Sequence, residues 1–325
     1  MSSFRGAPGL RGVRALVTGA RGFIGRHLTR RLLAEGAAVF AGVRPGKPAD
    51  ETLHRLEGPI RVVAFDVRDA GACRSALKPL APEIVFHLAA FTDNRREESL
   101  FEEAVATNVQ GTLNVVRALE GAPLLSFVHA GTGEEYGCGV APFREDQALD
   151  PVSPYSASKA SAAMFLRAHF LASGFPATTA RLFMPYGEGL PEKSFVAQCL
   201  RSARTGVPLA MTKGAQTRDY VHVDDVVEAL LRIALARDFR GEAVNVGTGV
   251  ETPLRDVAAT IADLCGGRFR YETGRVPYRR HEIMRSVADV GVLRDRLGFE
   301  PAIRLREGLA RLLEGAGLLE REGRS

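Results

Sequence analysis

The sequence has 325 residues, 46% of them hydrophobic and 25% charged, which gives room for about two domains and a sizeable core. Collagen-like, disordered and small disulfide-scaffold classes are excluded. A total of 43 Lys and Arg against 38 Asp and Glu leaves a charge of +5; with no dense basic run, it suits an anionic ligand such as a nucleotide better than a nucleic-acid partner.

Residues 1–12 are rich in Gly and Arg and lack the apolar core of a secretory signal. No run of 18 apolar residues follows, so a cytoplasmic protein without membrane attachment is expected. The apolar run 13–17 reads as a strand. It leads into Gly19-Ala20-Arg21-Gly22-Phe23-Ile24-Gly25 and a helix to about Glu35, closed by Gly36. Strand, glycine turn, helix is the context of a dinucleotide fingerprint. The glycines permit the turn and let backbone approach a pyrophosphate lying on the helix N-terminal amides. Gly19, Arg21, Gly22, Phe23, Ile24 and Gly25 are therefore cofactor-binding candidates.

The second strand, 38–43, ends in Val43-Arg44-Pro45. NAD binders usually hold the ribose 2′-hydroxyl with Asp or Glu at this point, whereas an Arg accommodates the 2′-phosphate of NADP. The sequence offers no carboxylate there, so Arg44, helped by Arg21, favours NADP, with NAD as the alternative. A third strand, 61–65, closes on Asp66-Val67, where Asp66 suits the adenine amine. Strands at 84–88, 124–129 and 177–183 follow, with helices between them, notably 97–119 and 154–171. Continuous apolar strands alternating with helices indicate a doubly wound parallel α/β sheet.

The strand 124–129 is followed by Ala130-Gly131-Thr132-Gly133-Glu134-Glu135. Ligands bind at this edge of parallel sheets, so the Thr132 hydroxyl is placed to bond a reacting oxygen. Tyr155 and Lys159 lie four apart behind Pro154, on one face of a helix. An ammonium beside a phenol favours the phenolate and makes a proton carrier of Tyr155. Beyond residue 183 the rhythm loosens. A strand at 217–222, a helix at 223–236 and a strand at 243–246 read as a return to the sheet, and helices with a short strand near 269–271 follow. The expected division is 12–183 plus 215–250 for a dinucleotide domain, and 184–214 plus 251–325 for a smaller interleaved substrate domain. Cys73, Cys138, Cys199 and Cys265 are far apart and lack metal-ligand spacing, so reduced thiols and no metal site are expected.

The chain resembles the extended short-chain dehydrogenase/reductase family, in its branch of nucleotide-sugar epimerases, dehydratases and reductases. The resemblance spans about 12–300. It rests on Thr18–Gly25 (TGARGFIG), Asp66-Val67, His87–Ala90 (HLAA), Asn108–Thr112 (NVQGT) and the Thr132 segment. It continues through Ser153–Lys159 (SPYSASK), Arg181–Gly187 (RLFMPYG) and Gln216–Val227 (QTRDYVHVDDVV). It implies a Rossmann-type fold, a catalytic triad of Thr132, Tyr155 and Lys159, and a cofactor lined by Val67, Leu88, Ala89 and Ala90. Tyr155 and Lys159 also border that cofactor. It further implies that Arg218 and Arg279 grip a nucleoside diphosphate sugar, that Asn108 has a structural or water-linking role, and that two chains pair as a homodimer through 97–119 and 154–171. Guanidinium binds phosphate through two parallel hydrogen bonds, which suits both arginines.

The sequence departs from that pattern in three places. Met184 stands where Asn is common, and Glu188 where Pro is common. Gly133-Glu134 follows the catalytic Thr where dTDP-glucose dehydratases carry Asp-Glu. Elimination needs both an acid and a base, so a 4,6-dehydratase or decarboxylase using Glu134 ranks below other activities. Because Arg44 favours NADP, a cofactor that is consumed, the leading expectation is NADPH-dependent reduction of a nucleotide-linked 4-keto (deoxy)sugar, with Tyr155 as proton donor. The alternative is a 4-epimerase with transient oxidation at C4. An NADP-sensing protein without catalysis would have broken the triad, which is intact.

Overall fold

The computed structural model describes residues 9–46, 53 and 56–319. The strands are β1 (Arg14–Thr18), β2 (Ala38–Val43), β3 (Ile60–Ala64), β4 (Ile84–His87), β5 (Ser126–Thr132), β6 (Ala177–Leu182), β7 (Met184–Tyr186), β8 (Leu209–Ala210), β9 (Thr217–Arg218), β10 (Tyr220–His222), β11 (Ala243–Val246), β12 (Thr252–Pro253) and β13 (Tyr271–Glu272). Seven of them form one sheet in the order β11-β6-β5-β4-β1-β2-β3. β1 lies parallel to β2 on one side and to β4 on the other, so the strand order reverses at the C-terminal end of β1. Every residue of β4, β5 and β6 is buried, as expected of strands covered on both faces. This is a Rossmann-type doubly wound α/β fold.

The chain divides into two compact units. One comprises Met1–Glu135, Pro151–Arg181 and Val227–Val244; the other Tyr136–Asp150, Leu182–Val226 and Asn245–Ser325. The core of the first gathers Leu16, Phe65, Leu77, Val85, Val115, Phe127 and Leu166. In the second, Tyr186, Val196, Tyr220, Val257, Ile261 and Leu309 pack together. Residues 136–150, 182–183, 215–226 and 245–250, expected with the dinucleotide domain, pack in the second unit. Tyr136 shows why: its ring stacks on Phe143 at 4.9 Å and its hydroxyl donates to Asn245 Oδ1 at 2.7 Å. Within the expected domains, 47–52, 54–55 and 320–325 lie outside the described residues, as do 1–8 of the N-terminal lead.

Two element expectations are corrected. The strand 217–222 is broken into β9, which pairs with β12, and β10, which pairs with β7; only β11 rejoins the large sheet. The break is Asp219, whose buried carboxylate accepts from Thr248 N, Thr248 Oγ1, Gly249 N and Ala288 N. Four donors hold it out of an extended ladder. The helix 97–119 is not uniform either. The α-helix Phe101–Ala104 opens into a π-helical stretch, Val105–Gln110, before the α-helix Gly111–Ala118. Asn108 sits in that wide turn with its side chain committed outside the helix.

The helix Pro154–Ser173 forms where its caps dictate. Ser153 and Ser156 make a reciprocal capping box, Pro154 occupies the first turn, and Gly174 ends the helix at φ 72°.

Candidate active site

β1 delivers the glycine turn to the switch point of the sheet. Gly19 adopts φ 71°, and a Cβ there would stand 2.8 Å from Ala89 N. A Cβ on Gly25 would overlap the Gly19 carbonyl oxygen. The helix Phe23–Ala34 begins at Gly22 with no capping side chain and no acidic residue in its first turn. Two buried nitrogens flank this N-terminus without a hydrogen-bond partner among the described residues, Arg21 Nε and Arg26 Nε. Uncapped amides, small residues and uncommitted guanidinium nitrogens suit a dinucleotide pyrophosphate. Leu88, Ala89 and Ala90 follow β4 at the same sheet edge and are half-buried.

At the end of β2 the structure corrects the sequence expectation. β3 runs parallel beside β2 and brings Asp66 to that edge, so Arg44 does have a carboxylate in reach: Arg44 Nε lies 3.5 Å from Asp66 Oδ2. Arg68 binds the same carboxylate at 2.7 Å, and that hydrogen bond is the main cause holding the Asp66 pKa below its usual value. Arg44 is thus part of an Arg–Asp–Arg cluster. Val67 turns its side chain into the core, and its carbonyl accepts from Asn114 Nδ2 at 2.9 Å.

Thr132 is the last residue of β5, and Tyr155 and Lys159 project from the helix Pro154–Ser173. Thr132 and Tyr155 share a side-chain hydrogen bond, so the structure brings these two together directly. Lys159, almost fully buried, donates from Nζ to Ala130 O at 2.6 Å. Burial lowers its pKa to about 8. The Tyr155 phenol is instead held above its usual range, first by burial and then by the negative charge of Glu134.

Glu134 accepts from Asn94 Nδ2 at 3.0 Å, while its own N–H donates to Thr132 Oγ1 at 3.2 Å. Glu135 is fully buried; it accepts from Thr132 N at 2.8 Å and pairs with Arg181 at 2.8 Å. That pair fixes the backbone on which Thr132 sits. Asn94 carries no motif, and its distance of 40 residues from Glu134 hides the contact from sequence reading.

In the second unit Arg218 is already engaged. Its Nη2 pairs with Glu282 at 2.8 Å, and its Nη1 donates to Thr217 O and Ile283 O, both at 2.7 Å. Arg279 is exposed on the loop leading to Glu282, whose N–H donates to the Arg279 carbonyl at 3.1 Å. Among the described residues no His, Cys, Asp and Glu cluster could hold a metal, and no helix is long and apolar enough to cross a membrane.

A Rossmann-type sheet with this glycine turn, and a Tyr-x3-Lys helix facing a strand-end threonine, defines the extended short-chain dehydrogenase/reductase class. Residues 15–247 match the model of the NAD dependent epimerase/dehydratase family, and the chain belongs to that family. It is 34% identical to a UDP-glucose 4-epimerase of Mycolicibacterium smegmatis over 93% of this chain and 98% of that one. A dTDP-glucose 4,6-dehydratase of Streptomyces griseus is 32% identical over 91% of each chain. Among solved structures, MoeE5 in complex with UDP-glucuronic acid and NAD superposes with a TM-score of 0.81, at 31% identity over 93% of this chain and 98% of that one.

Proposed function

We propose that the chain is a nucleotide-sugar 4-epimerase that carries NAD, its first unit holding the dinucleotide and its second the sugar nucleotide. The carrying observation is the Arg44–Asp66 ion pair. The reductase reading leaned on Arg44 as a phosphate site and hence on a consumed NADPH. A carboxylate 3.5 Å from Arg44 removes the premise that this strand end holds no acid, and so weakens both steps of that inference. The Mycolicibacterium relative and the NAD in the MoeE5 complex support the same reading.

When bound, NAD supplies a reversible hydride acceptor. Tyr155 Oη removes the proton of the sugar C4 hydroxyl as C4 is oxidised, and returns it after the 4-keto sugar has presented its other face. Thr132, bonded to Tyr155, orients that oxygen. Lys159 holds the nicotinamide ribose and, once turned from Ala130 O, favours the phenolate. Arg218 and Arg279 bind the diphosphate, for which Arg218 exchanges its bond to Glu282. Leu88, Ala89, Ala90 and the Gly19–Gly25 turn border the dinucleotide. A 4,6-dehydratase is the second reading. It is favoured by Glu134 acting on Tyr155 and opposed by Gly133, which leaves no acid for the departing hydroxyl.

We also infer a homodimer. Phe101 and Val105 on one helix, and Met164, Phe165 and Leu171 on Pro154–Ser173, are large apolar side chains left 49–70% exposed. These two helices pack together within the first unit, so a second copy of the chain would cover a continuous face.

The test is to denature purified protein and identify the released nucleotide, then to incubate intact protein with UDP-glucose, UDP-glucuronic acid and dTDP-glucose. NAD and C4-epimeric products without added cofactor are expected. Stoichiometric NADPH loss with a 4-keto substrate would overturn the reading in favour of reduction, and a 4-keto-6-deoxy product in favour of dehydration. Tyr155→Phe should lower kcat by about three orders of magnitude or more while NAD remains bound.

A further inference from the structure

Two fully buried histidines lie in the sheet below the site, His87 on β4 and His129 on β5, with ring centroids 6.0 Å apart and stacked. Their partners differ. Neither ring nitrogen of His129 has a hydrogen-bond partner among the described residues. His87 uses both: Nδ1 is 2.9 Å from Thr18 Oγ1, and Nε2 is 3.0 Å from Thr112 Oγ1.

The surrounding donors fix the direction of these bonds. Thr112 Oγ1 gives its own proton to Asn108 O at 2.6 Å, so it must accept from His87, which places the ring proton on Nε2. Nδ1 is then bare and accepts the Thr18 hydroxyl proton. Thr18 Oγ1 in turn accepts from Ala89 N at 3.1 Å. A second ring proton would reverse the bond to Thr18, whose Oγ1 would then accept from both His87 Nδ1 and Ala89 N, and leave the Thr18 hydroxyl proton without His87 as its acceptor. Burial, with the charge of Lys159 next, holds the His87 pKa down to about 3, so the ring stays neutral.

Both ends of this chain of bonds reach the site. On one side Thr18 and Ala89 frame Gly19, whose α-carbon packs against the Leu88–Ala89 backbone. On the other, Asn108 Nδ2 donates to Ser158 Oγ at 2.8 Å, and Ser158 Oγ donates to Tyr155 O at 2.8 Å. Asn108 also clamps both backbone groups of Phe91. Asn108 lies within the wide π turn, Val105–Gln110.

We propose that His87 is a positioning residue, joining the glycine turn to the helix of Tyr155 through Thr18, Thr112, Asn108 and Ser158, so that dinucleotide binding and Tyr155 placement are coupled. The proposal rests on the dinucleotide site proposed above, but half of its test uses no sugar. Thr112→Val is nearly isosteric and removes only the hydroxyl link; Thr112→Ser keeps it. Binding of NAD to the cofactor-stripped full chain should weaken at least fivefold in Thr112→Val and stay within twofold of wild type in Thr112→Ser. On the NAD-loaded protein, Thr112→Val should lower kcat at least tenfold with the sugar-nucleotide KM within twofold, again restored by Ser. His87→Phe should move both quantities the same way and further; if it does not fold, the Thr112 pair decides alone. Wild-type NAD affinity and kcat in Thr112→Val would overturn the proposal whatever its melting temperature. Equal losses in the Val and Ser variants would assign Thr112 to packing and overturn it too. Absence of epimerase activity in wild type, with the NAD affinities still split as expected, would sink the 4-epimerase reading and leave the coupling standing.

Discussion

Lys159 carries opposite demands. In the proposed mechanism it needs its charge to hold a ribose and favour the phenolate, yet its burial lowers its pKa to about 8. The ammonium therefore dominates below pH 8 and is lost above it. We expect kcat/KM to fall as pH rises through about 8, and this limb to vanish in Lys159→Met, whose residual rate should be flat there; a limb unchanged in that variant would assign it to another group. The stability sign is separate. The folded state sheds this proton at about 8 and the unfolded chain near 10.5, so Lys159 contributes stability that rises with pH between those values. That Thr132 would stand at a strand end and that Tyr155 and Lys159 would share a helix was legible in sequence, because apolar runs and helix caps are local signals. The Asp66 bond to Arg44 and the Asn94 bond to Glu134 were not. They arise where separate strands end side by side, and spacing along one chain does not encode that adjacency.

At the scale of elements, the sequence pattern captured the strands of the parallel sheet to within about three residues. An apolar run flanked by turn residues is a local signal, which is why these succeeded. It failed where a polar side chain reorganised the backbone: Asp219 splits β9 from β10, and Asn108 widens a helix into a π turn. Such breaks depend on distant hydrogen-bond partners, Thr248 and Ala288 in one case, Phe91 and Ser158 in the other. The exposed faces of 101–118 and Pro154–Ser173 lead to another expectation. Met164→Asp combined with Phe165→Asp should convert the proposed dimer to monomer, as read by light scattering at micromolar concentration. A dimer that survives both changes would place the interface elsewhere. The same substitutions should leave the melting temperature of the monomer nearly unchanged, since neither side chain is buried within its own chain.

Across the whole molecule, buried titratable groups set the response to acid. His87 and His129 are both held neutral, His87 to about pH 3 and His129 well below its ordinary value. The unfolded chain binds protons at these residues below about 6.5, and the folded chain resists doing so. Their contribution to stability is therefore complete above 6.5 and declines as pH falls toward 3, by up to about 1.4 kcal/mol per pH unit for each ring. The melting temperature should drop across that window, and His129→Phe should flatten part of the slope; an unchanged slope would exclude His129 as a contributor. The charge of +5 with which the sequence opened has found little use as a total. Many of the arginines are matched by carboxylates and add nothing to it, as in Arg31–Glu35, Arg144–Asp146 and Arg285–Glu251.

The way the two units share the chain also has a consequence for synthesis. Residues of the first unit are all present once Val244 has emerged from the ribosome, and β11, the final strand of its sheet, adds at an edge beside β6. Strands β1 to β6 can thus assemble without waiting for it. The second unit has no such early core. Asp219 takes donors as late as Ala288, and Asp225 accepts from Ala302 N and Ile303 N, both at 3.0 Å. Its pieces at 136–150 and 182–226 must wait for these late partners while some sixty further residues are made. A nascent chain stalled near 250 is therefore expected to hold a folded first unit beside exposed apolar segments, the state in which this protein most needs a chaperone.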